Sequence, residues 1–135
     1  MIIYPNTGAL WGAGLLRTAL AASEIHLFRA AMGITINPAL TLAELVAAEA
    51  TYTGYAAEEI TTFAAPLLNP LGGASTNSGT VQFQIASPYT VPNVIGGGWI
   101  QTAGGVLVAA WDYDPTRTLA GAGDGFPVDL FLLFG

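Results

Sequence analysis

Residues 98–114, GWIQTAGGVLVAAWDYD, decide what kind of fold this chain can adopt. Two runs rich in apolar residues flank a central glycine pair, and glycine reaches the positive φ that tight hairpin turns require, so the stretch predicts a β-hairpin. A two-residue loop would place Ile100, Leu107 and Trp111 on one face. Trp99 would then lie on the other, whereas a four-residue loop would shift this pairing. With either loop both faces of the hairpin are apolar, so both must be buried against other parts of the protein. The residues that cover the second face come either from the chain itself or from another subunit.

The composition places few charges on a chain that is rich in apolar residues. Of its 135 residues, 53% are hydrophobic and only 9% are charged, against about 25% charged residues in an average globular domain. The length predicts a single domain, 1–135, and the absence of cysteine excludes disulfides and thiol chemistry. Three arginines, no lysine and nine carboxylates give a formal net charge of -6. Because phosphate binding needs a clustered basic face, we expect no nucleic-acid partner.

The most apolar N-terminal stretch, residues 9–22, is too short to cross a membrane. It is interrupted by Arg17, and a spanning helix needs roughly 20 predominantly apolar residues. The opening residues MIIYPNTG carry no positive charge ahead of this stretch, unlike a secretory signal. We therefore expect no membrane partner, and synthesis in the cytoplasm.

Helix signals occur twice in the first half of the chain. Leucine and alanine recur at helical spacing after the turn-forming run PNTG, which predicts a helix from about Gly8 to Ser23 within an N-terminal helical segment, 1–24. Thr41 and Glu44 form the T-x-x-E pattern of a capping box, which predicts a second, short helix.

The remainder, 25–135, is predicted to be mainly β. The alternating run EIHLFRA and the apolar run FPVDLFLLF (126–134) are typical of strands, and small polar residues at about 69–80 predict a flexible loop or arm. In the last strand, alternation gives two mainly apolar faces, one with Phe131 and the other with Phe134. The fold class predicted is α+β: an N-terminal helix plus a mostly antiparallel β-sheet, arranged as a β-sandwich.

No constellation of residues predicts catalysis. His26 is the only histidine, and the chain has no cysteine or lysine to serve as an activated nucleophile, so a strand histidine that is hydrogen-bonded or half-exposed is the simpler interpretation. Asp112, Asp114 and Asp124 could offer oxygens to Ca²⁺, but they lack the closing glutamate of a calcium-binding loop. We expect solvated carboxylates there. We predict no catalytic, cofactor-binding or metal-ligating residue, no cofactor and no enzyme activity.

Three segments of the chain resemble a group of small structural proteins encoded by tailed bacteriophages. They are LTLAELVAAEATYTGYA (40–56), VPNVIGGGWIQTAGGVLVAAW (91–111) and AGAGDGFPVDLFLLF (120–134). In that group an amphipathic N-terminal helix precedes a strand with a G-Y-A ending, a glycine-containing hairpin and a G-D-x-L strand. The matching residues here are Ala50, Tyr52, Gly54, Tyr55 and Ala56 for the first element, Gly98 and Gly105 for the second, and Gly123, Asp124 and Val128 for the third.

The resemblance implies a non-enzymatic component of a virion. The implied role is a capsid decoration or head-associated protein that oligomerises and stabilises the particle through apolar contacts between subunits. The implied partners are further copies of the chain and other virion proteins such as the major capsid protein, and the implied location is the virion, after synthesis in a bacterial host. Desolvated aromatic residues dominate the energies of such interfaces. The predicted contact residues are Trp99, Trp111, Phe131 and Phe134.

Two alternatives stay open from the sequence. One is a structural protein of the phage tail. The other is a small carbohydrate- or ligand-binding β domain, in which the rings of Trp99, Trp111 and Tyr113 would line the site. Asp112 and Asp114 would stand beside them, because carboxylates next to aromatic rings suit a sugar ligand.

Overall fold

The chain contains two α-helices, one short 3-10 helix and seven strands among the residues that the structure describes. The structure, a computed structural model, describes residues 6–61, 63–70, 72–84, 93–119 and 125–134. The elements are α1 (Asn6–Ala19), β1 (Glu24–Arg29), the 3-10 helix (Ala30–Met32), α2 (Leu42–Ala47), β2 (Glu58–Glu59), β3 (Leu67–Leu68), β4 (Ala74–Gln84), β5 (Asn93–Gln101), β6 (Leu107–Leu119) and β7 (Gly125–Phe134).

The residues group into two compact units, each assembled from segments that are distant in sequence. The α1 unit contains α1, β3 and most of β4 and β7. The hairpin unit contains β1, α2, β2, β5 and β6. The chain passes between the units several times, and the single-domain prediction for 1–135 stays a prediction.

Helix α1 packs through its smallest side chains. Ala9 and Ala13, four residues apart on one helix face, are fully buried in a cluster with Ala74 of β4. The helix is predicted to reach Ser23 but ends at Ala19. Ala22 adopts a φ of 60°, and a residue in this left-handed conformation cannot continue a right-handed helix.

Helix α2 confirms the predicted capping box. The Glu44 N–H donates to Thr41 Oγ1 at 3.3 Å, and the Thr41 N–H donates to Glu44 Oε2 at 2.8 Å. These two bonds satisfy backbone donors that the first helical turn leaves without partners. The Thr41 hydroxyl also donates to Glu44 Oε2 at 2.6 Å, and this bond, with the smaller contribution of the bond from the Thr41 N–H, holds the pKa of the exposed Glu44 carboxyl below its usual value.

The predicted hairpin is confirmed as β5 and β6, within a four-stranded antiparallel sheet of order β2-β1-β5-β6. Pairing of Trp99 with Ala110 and of Ile100 with Ala109 matches the register expected for a two-residue loop. An irregularity after Ile100 then pairs Gln101 with Leu107, and residues 102–106 connect the two strands. This bulge corrects the predicted face of Leu107, which packs with Trp99 instead of lying opposite it.

Strand β5 is covered on both faces within the chain. Trp99 is 0% exposed and packs with Leu45 and Ala48 of the α2 region, while Ile100, on the opposite face, is 1% exposed. The second cover of β5 is therefore intramolecular, and the alternative of another subunit is wrong for this strand. Strand β6 lies at the sheet edge among the described strands and leaves Val108 exposed.

The α1 unit overturns one prediction, the flexible loop at about 69–80. Residues from Ala74 onward form β4, the central strand of a three-stranded sheet of order β3-β4-β7. The polar residues of β4 are held by tertiary hydrogen bonds: the Thr76 hydroxyl donates to the Ala64 carbonyl at 2.6 Å, and the Leu130 N–H donates to Ser78 Oγ at 3.1 Å. A composition typical of loops thus forms a strand because its hydroxyls are satisfied inside the unit.

The helices and antiparallel ladders confirm the α+β class. The arrangement as a β-sandwich stays a prediction. In the part of the chain that the structure describes, no helix is both long enough and apolar enough to cross a membrane.

Candidate functional site

The four predicted contact residues fall in different environments. Trp99 is a core residue with no exposed surface, so its prediction as an interface contact is corrected. Its indole N–H donates to Gln101 Oε1 at 3.1 Å, which satisfies its only polar group inside the chain. A side chain enclosed in this way has no surface left for a partner.

The other three contact residues lie on edge strands among the described strands. Trp111 on β6 is half-buried, and its ring lies across Gly98, where a Cβ atom would come within 2.7 Å of the indole. Phe131 on β7 is 66% exposed. Phe134 ends β7, and its side chain lies outside the described residues. Of the three whose side chains the structure describes, Phe131 is the residue whose aromatic surface faces solvent most fully.

The alternative ligand site is not assembled in the hairpin unit. Trp99 pairs with Ala110, whereas Trp111 pairs with Gly98, so the two indoles lie on opposite faces of the sheet. The Arg117 guanidinium lies over the Tyr113 ring, 5.5 Å from the ring centre. The Trp99 ring is thus separated from the other two, whereas the side chains of Tyr113 and Trp111 are hydrogen-bonded to each other.

The candidate calcium ligands also stay apart from other metal-binding groups. Asp112 and Asp114 are exposed on β6, and Asp124 lies outside the described residues. Within 6–61, 63–70, 72–84, 93–119 and 125–134, no group of three or more His, Cys, Asp or Glu side chains could hold a metal ion.

A group of titratable side chains surrounds His26 in the hairpin unit. The buried imidazole of His26 stacks on the Trp99 indole, with ring centres 4.7 Å apart and planes 11° from parallel. Its Nδ1 lies 2.7 Å from Glu49 Oε1, and the same carboxylate oxygen accepts the Tyr55 hydroxyl at 2.8 Å. Because a carboxylate only accepts, the short contact places a proton on Nδ1. The hydrogen-bonded strand histidine expected from the sequence is confirmed.

The Tyr55 hydroxyl extends this group to the backbone. It accepts the Leu27 N–H at 3.0 Å while it donates to Glu49. The ordinary tyrosine hydroxyl is the form that can do both, and burial raises the pKa of Tyr55 well above its usual value. The network therefore connects β1 to the segment after α2 through two side chains.

Arg29 holds the same segment from the other side. Its guanidinium donates to the carbonyls of Ala47 at 3.2 Å and of Glu49 at 3.0 Å, where α2 ends. A cation at this end satisfies carbonyls that lack helical partners and complements the helix dipole. The hydrogen bonds of Arg29 therefore stabilise the fold of the hairpin unit.

Around His26 Nε2 the described residues place no hydroxyl or thiol within hydrogen-bonding distance. Nε2 of His26 has no hydrogen-bond partner among the described residues, and Glu24 Oε2 lies 3.4 Å from it. A general base needs a hydroxyl or thiol within hydrogen-bonding reach. Sequence reasoning missed Glu49 and Tyr55 as partners of His26, since no local motif signals contacts between residues so far apart in the chain.

No family model, no characterised protein and no solved structure matches this chain. Large apolar side chains are exposed in each of the three chain segments that form the α1 unit. They are Trp11 and Leu15 on α1, Leu67 and Leu68 on β3, and Phe131 and Leu133 on β7.

Two tyrosines of the hairpin unit make a matched pair for testing the His26 network. We expect Tyr55→Phe to lower the free energy of unfolding by about 1–3 kcal/mol, because Glu49 and the Leu27 N–H each lose a bond. We expect Tyr52→Phe to be neutral or stabilising, because the buried Tyr52 hydroxyl has no hydrogen-bond partner among the described residues. Urea unfolding of both variants measures the difference, and equal losses would contradict the network.

Alkaline unfolding gives a second measurement on the same pair. Burial, with a smaller contribution from the Glu58 carboxylate, raises the pKa of Tyr52 to about 12. The unfolded chain then releases this proton first, near the ordinary tyrosine pKa of about 10, so the free energy of unfolding falls as the pH rises from there through about 12. We expect Tyr52→Phe to flatten this fall.

Proposed function

We propose that this chain is a non-enzymatic structural protein of a tailed-bacteriophage virion. Its role there is capsid decoration or another head-associated position, in which copies assemble and stabilise the particle through apolar contacts. The observation that carries the proposal is the exposed outer face of β7, where Phe131 and Leu133 are each 66% exposed. The proposal of a phage virion rests on the resemblance of three segments to phage structural proteins.

Strand β7 has few of the features that keep an edge strand free of partners. It is ten residues long and lies at the end of the order β3-β4-β7. Monomeric proteins protect such edges with lysine, other charges, proline or bulges. The other long edge strand, β6, carries Asp112, Asp114, Pro115 and Arg117. Strand β7 carries one proline, near its start, and one charge, Asp129.

The exposed apolar surface also accounts for the low charge of the chain. Burying apolar surface between subunits contributes roughly 25 cal/mol per Å² before the costs of association. A protein present in many copies on a shell needs such surface and needs no active site. The 9% of charged residues is consistent with a chain whose surface is partly covered by neighbours.

Self-association is expected to depend on Phe131. Light scattering over a dilution series should show an oligomer for the unchanged protein. Phe131→Thr, which replaces the aromatic residue with a β-branched residue that also favours strands, should weaken association about 30-fold or more, since a central aromatic contact contributes about 2 kcal/mol or more. The control is Val106→Thr, at the equally exposed tip of the hairpin. A monomer at every concentration of the unchanged protein would overturn the self-assembly.

The place in the virion needs a separate experiment. Particles of the phage that encodes this chain are labelled with an antibody against it and viewed by electron microscopy. Label on the head supports the proposed position, and label on the tail supports the tail-associated alternative in its place. Particles without label on either part would overturn a virion role.

A further inference from the structure

We propose that the subunits associate head to tail, with the outer face of β7 from one copy seated in a cavity beside Arg17 of the next copy. This inference rests on the proposed self-assembly and specifies its geometry. Both surfaces belong to the α1 unit, and they use different residues. A contact of this kind is heterologous, so it closes into a ring or continues as a filament.

The receiving surface is a cavity of about 370 Å³ between the last turns of α1 and the segment around Ile60. Its floor is apolar, since Ile60 and Phe63 are buried. Its rim is polar, with the exposed residues Arg17, Thr18 and Thr61. The cavity therefore fits a segment that combines a large apolar group with a negative charge.

Arg17 is the cation that the described fold leaves without an intramolecular role. Arg29 is bound to the carbonyls at the end of α2, and Arg117 lies over the Tyr113 ring. No carboxylate lies within ion-pair distance of Arg17 among the described residues. The chain contains only three cations in total, so the cavity offers a positive charge on a molecule that is otherwise strongly acidic.

The outer face of β7 has the complementary pattern. Asp129, Phe131 and Leu133 alternate along the strand and are all exposed. Asp129 provides the carboxylate and Phe131 the large apolar group. Because each copy has a net charge of -6, most contacts between copies bring like charges together. The contact that joins Arg17 of one copy to Asp129 of the next brings opposite charges together and is therefore favoured over the others.

Charge reversal tests the pairing of the two surfaces. Arg17→Glu and Asp129→Arg are each expected to weaken self-association by about tenfold or more, measured by light scattering in dilution series. The double variant, with both charges reversed, should return to within about threefold of the unchanged protein. Arg117→Glu makes the same change in net charge outside the contact and is expected to leave association within about twofold.

Mixing provides a measurement that a loss of folding cannot imitate. In an equimolar mixture of the two single variants, the reversed cavity of one meets the reversed strand of the other, and the unchanged surfaces also meet. Association should therefore recover in the mixture while each variant alone remains weakened. Circular dichroism confirms that each variant is folded.

The outcomes separate this inference from the proposed function. If the unchanged protein is an oligomer and neither reversal weakens it, or if neither the double variant nor the mixture recovers, the head-to-tail docking is wrong and self-assembly stands. If the unchanged protein is a monomer throughout, self-assembly itself is overturned, and the docking with it. Weakening by both reversals together with recovery in the mixture supports the docking.

Discussion

Gly97→Ala is expected to destabilise the protein by about 3 kcal/mol or more, because no room exists for a methyl group at this position of β5, an interior strand of the hairpin unit. A Cβ atom at Gly97 would lie 2.5 Å from Cζ and 2.7 Å from Cε1 of the Phe28 ring. It would also overlap the backbone carbonyl of Trp111. That carbonyl belongs to the ladder between β5 and β6, so it cannot move away from the added methyl group without breaking the pairing of the two strands.

A glycine in the same hairpin serves as the control for Gly97. At Gly104 the nearest atom to an added Cβ is Thr102 Oγ1, 3.8 Å away, which is ordinary contact. We expect Gly104→Ala to change the free energy of unfolding by no more than about 0.5 kcal/mol. Urea unfolding compares the two variants, and similar stabilities would mean that Phe28 does not occupy the space above Gly97.

Trp99→Ala is expected to lower the free energy of unfolding by about 3–5 kcal/mol. The substitution removes the largest fully buried side chain of the described core. It leaves a cavity beside Phe28, Leu45 and Ala48 and removes the stacking partner of His26. It also leaves Gln101 Oε1 without the indole N–H that it accepts.

The matched control is the tryptophan on α1. Trp11 is 69% exposed, so Trp11→Ala should alter the free energy of unfolding by about 0.5 kcal/mol or less. Thermal and urea unfolding of the two alanine variants measure the contrast. A loss at Trp11 as large as that at Trp99 would show that the exposed face of α1 is covered within the chain.

Local sequence patterns predicted the elements that depend on neighbouring residues. The capping box at Thr41 and Glu44 specifies the start of α2, since both of its hydrogen bonds join residues three apart. The glycine pair at 104–105 specifies the hairpin, because the positive φ of Gly105 is a property of one residue and its turn. The extra residue of the bulge, Val108 between Leu107 and Ala109, has no such local signal.

The candidate site was only partly predictable for the same reason. Large aromatic residues were expected at contacts between subunits, and Phe131 is exposed as that role requires, whereas Trp99 is enclosed. Side-chain type describes how much surface a residue can bury. It does not say whether the chain itself or a neighbour buries that surface, because the sequence of a strand is equally apolar in both cases.

The sequence by itself determined the α+β class, the hairpin, the capped helix and a chain with few charges and one histidine. Only the tertiary structure decided that β4 is a strand, that Glu49 and Tyr55 meet His26, and that Arg17 has no described carboxylate partner while Arg29 is bound to the end of α2. Hydrophobic periodicity and turn-forming residues act over a few neighbouring residues, so the elements that they specify can be predicted from the sequence. Hydrogen bonds and packing between distant segments depend on how those segments fold against each other, and no local pattern encodes that arrangement.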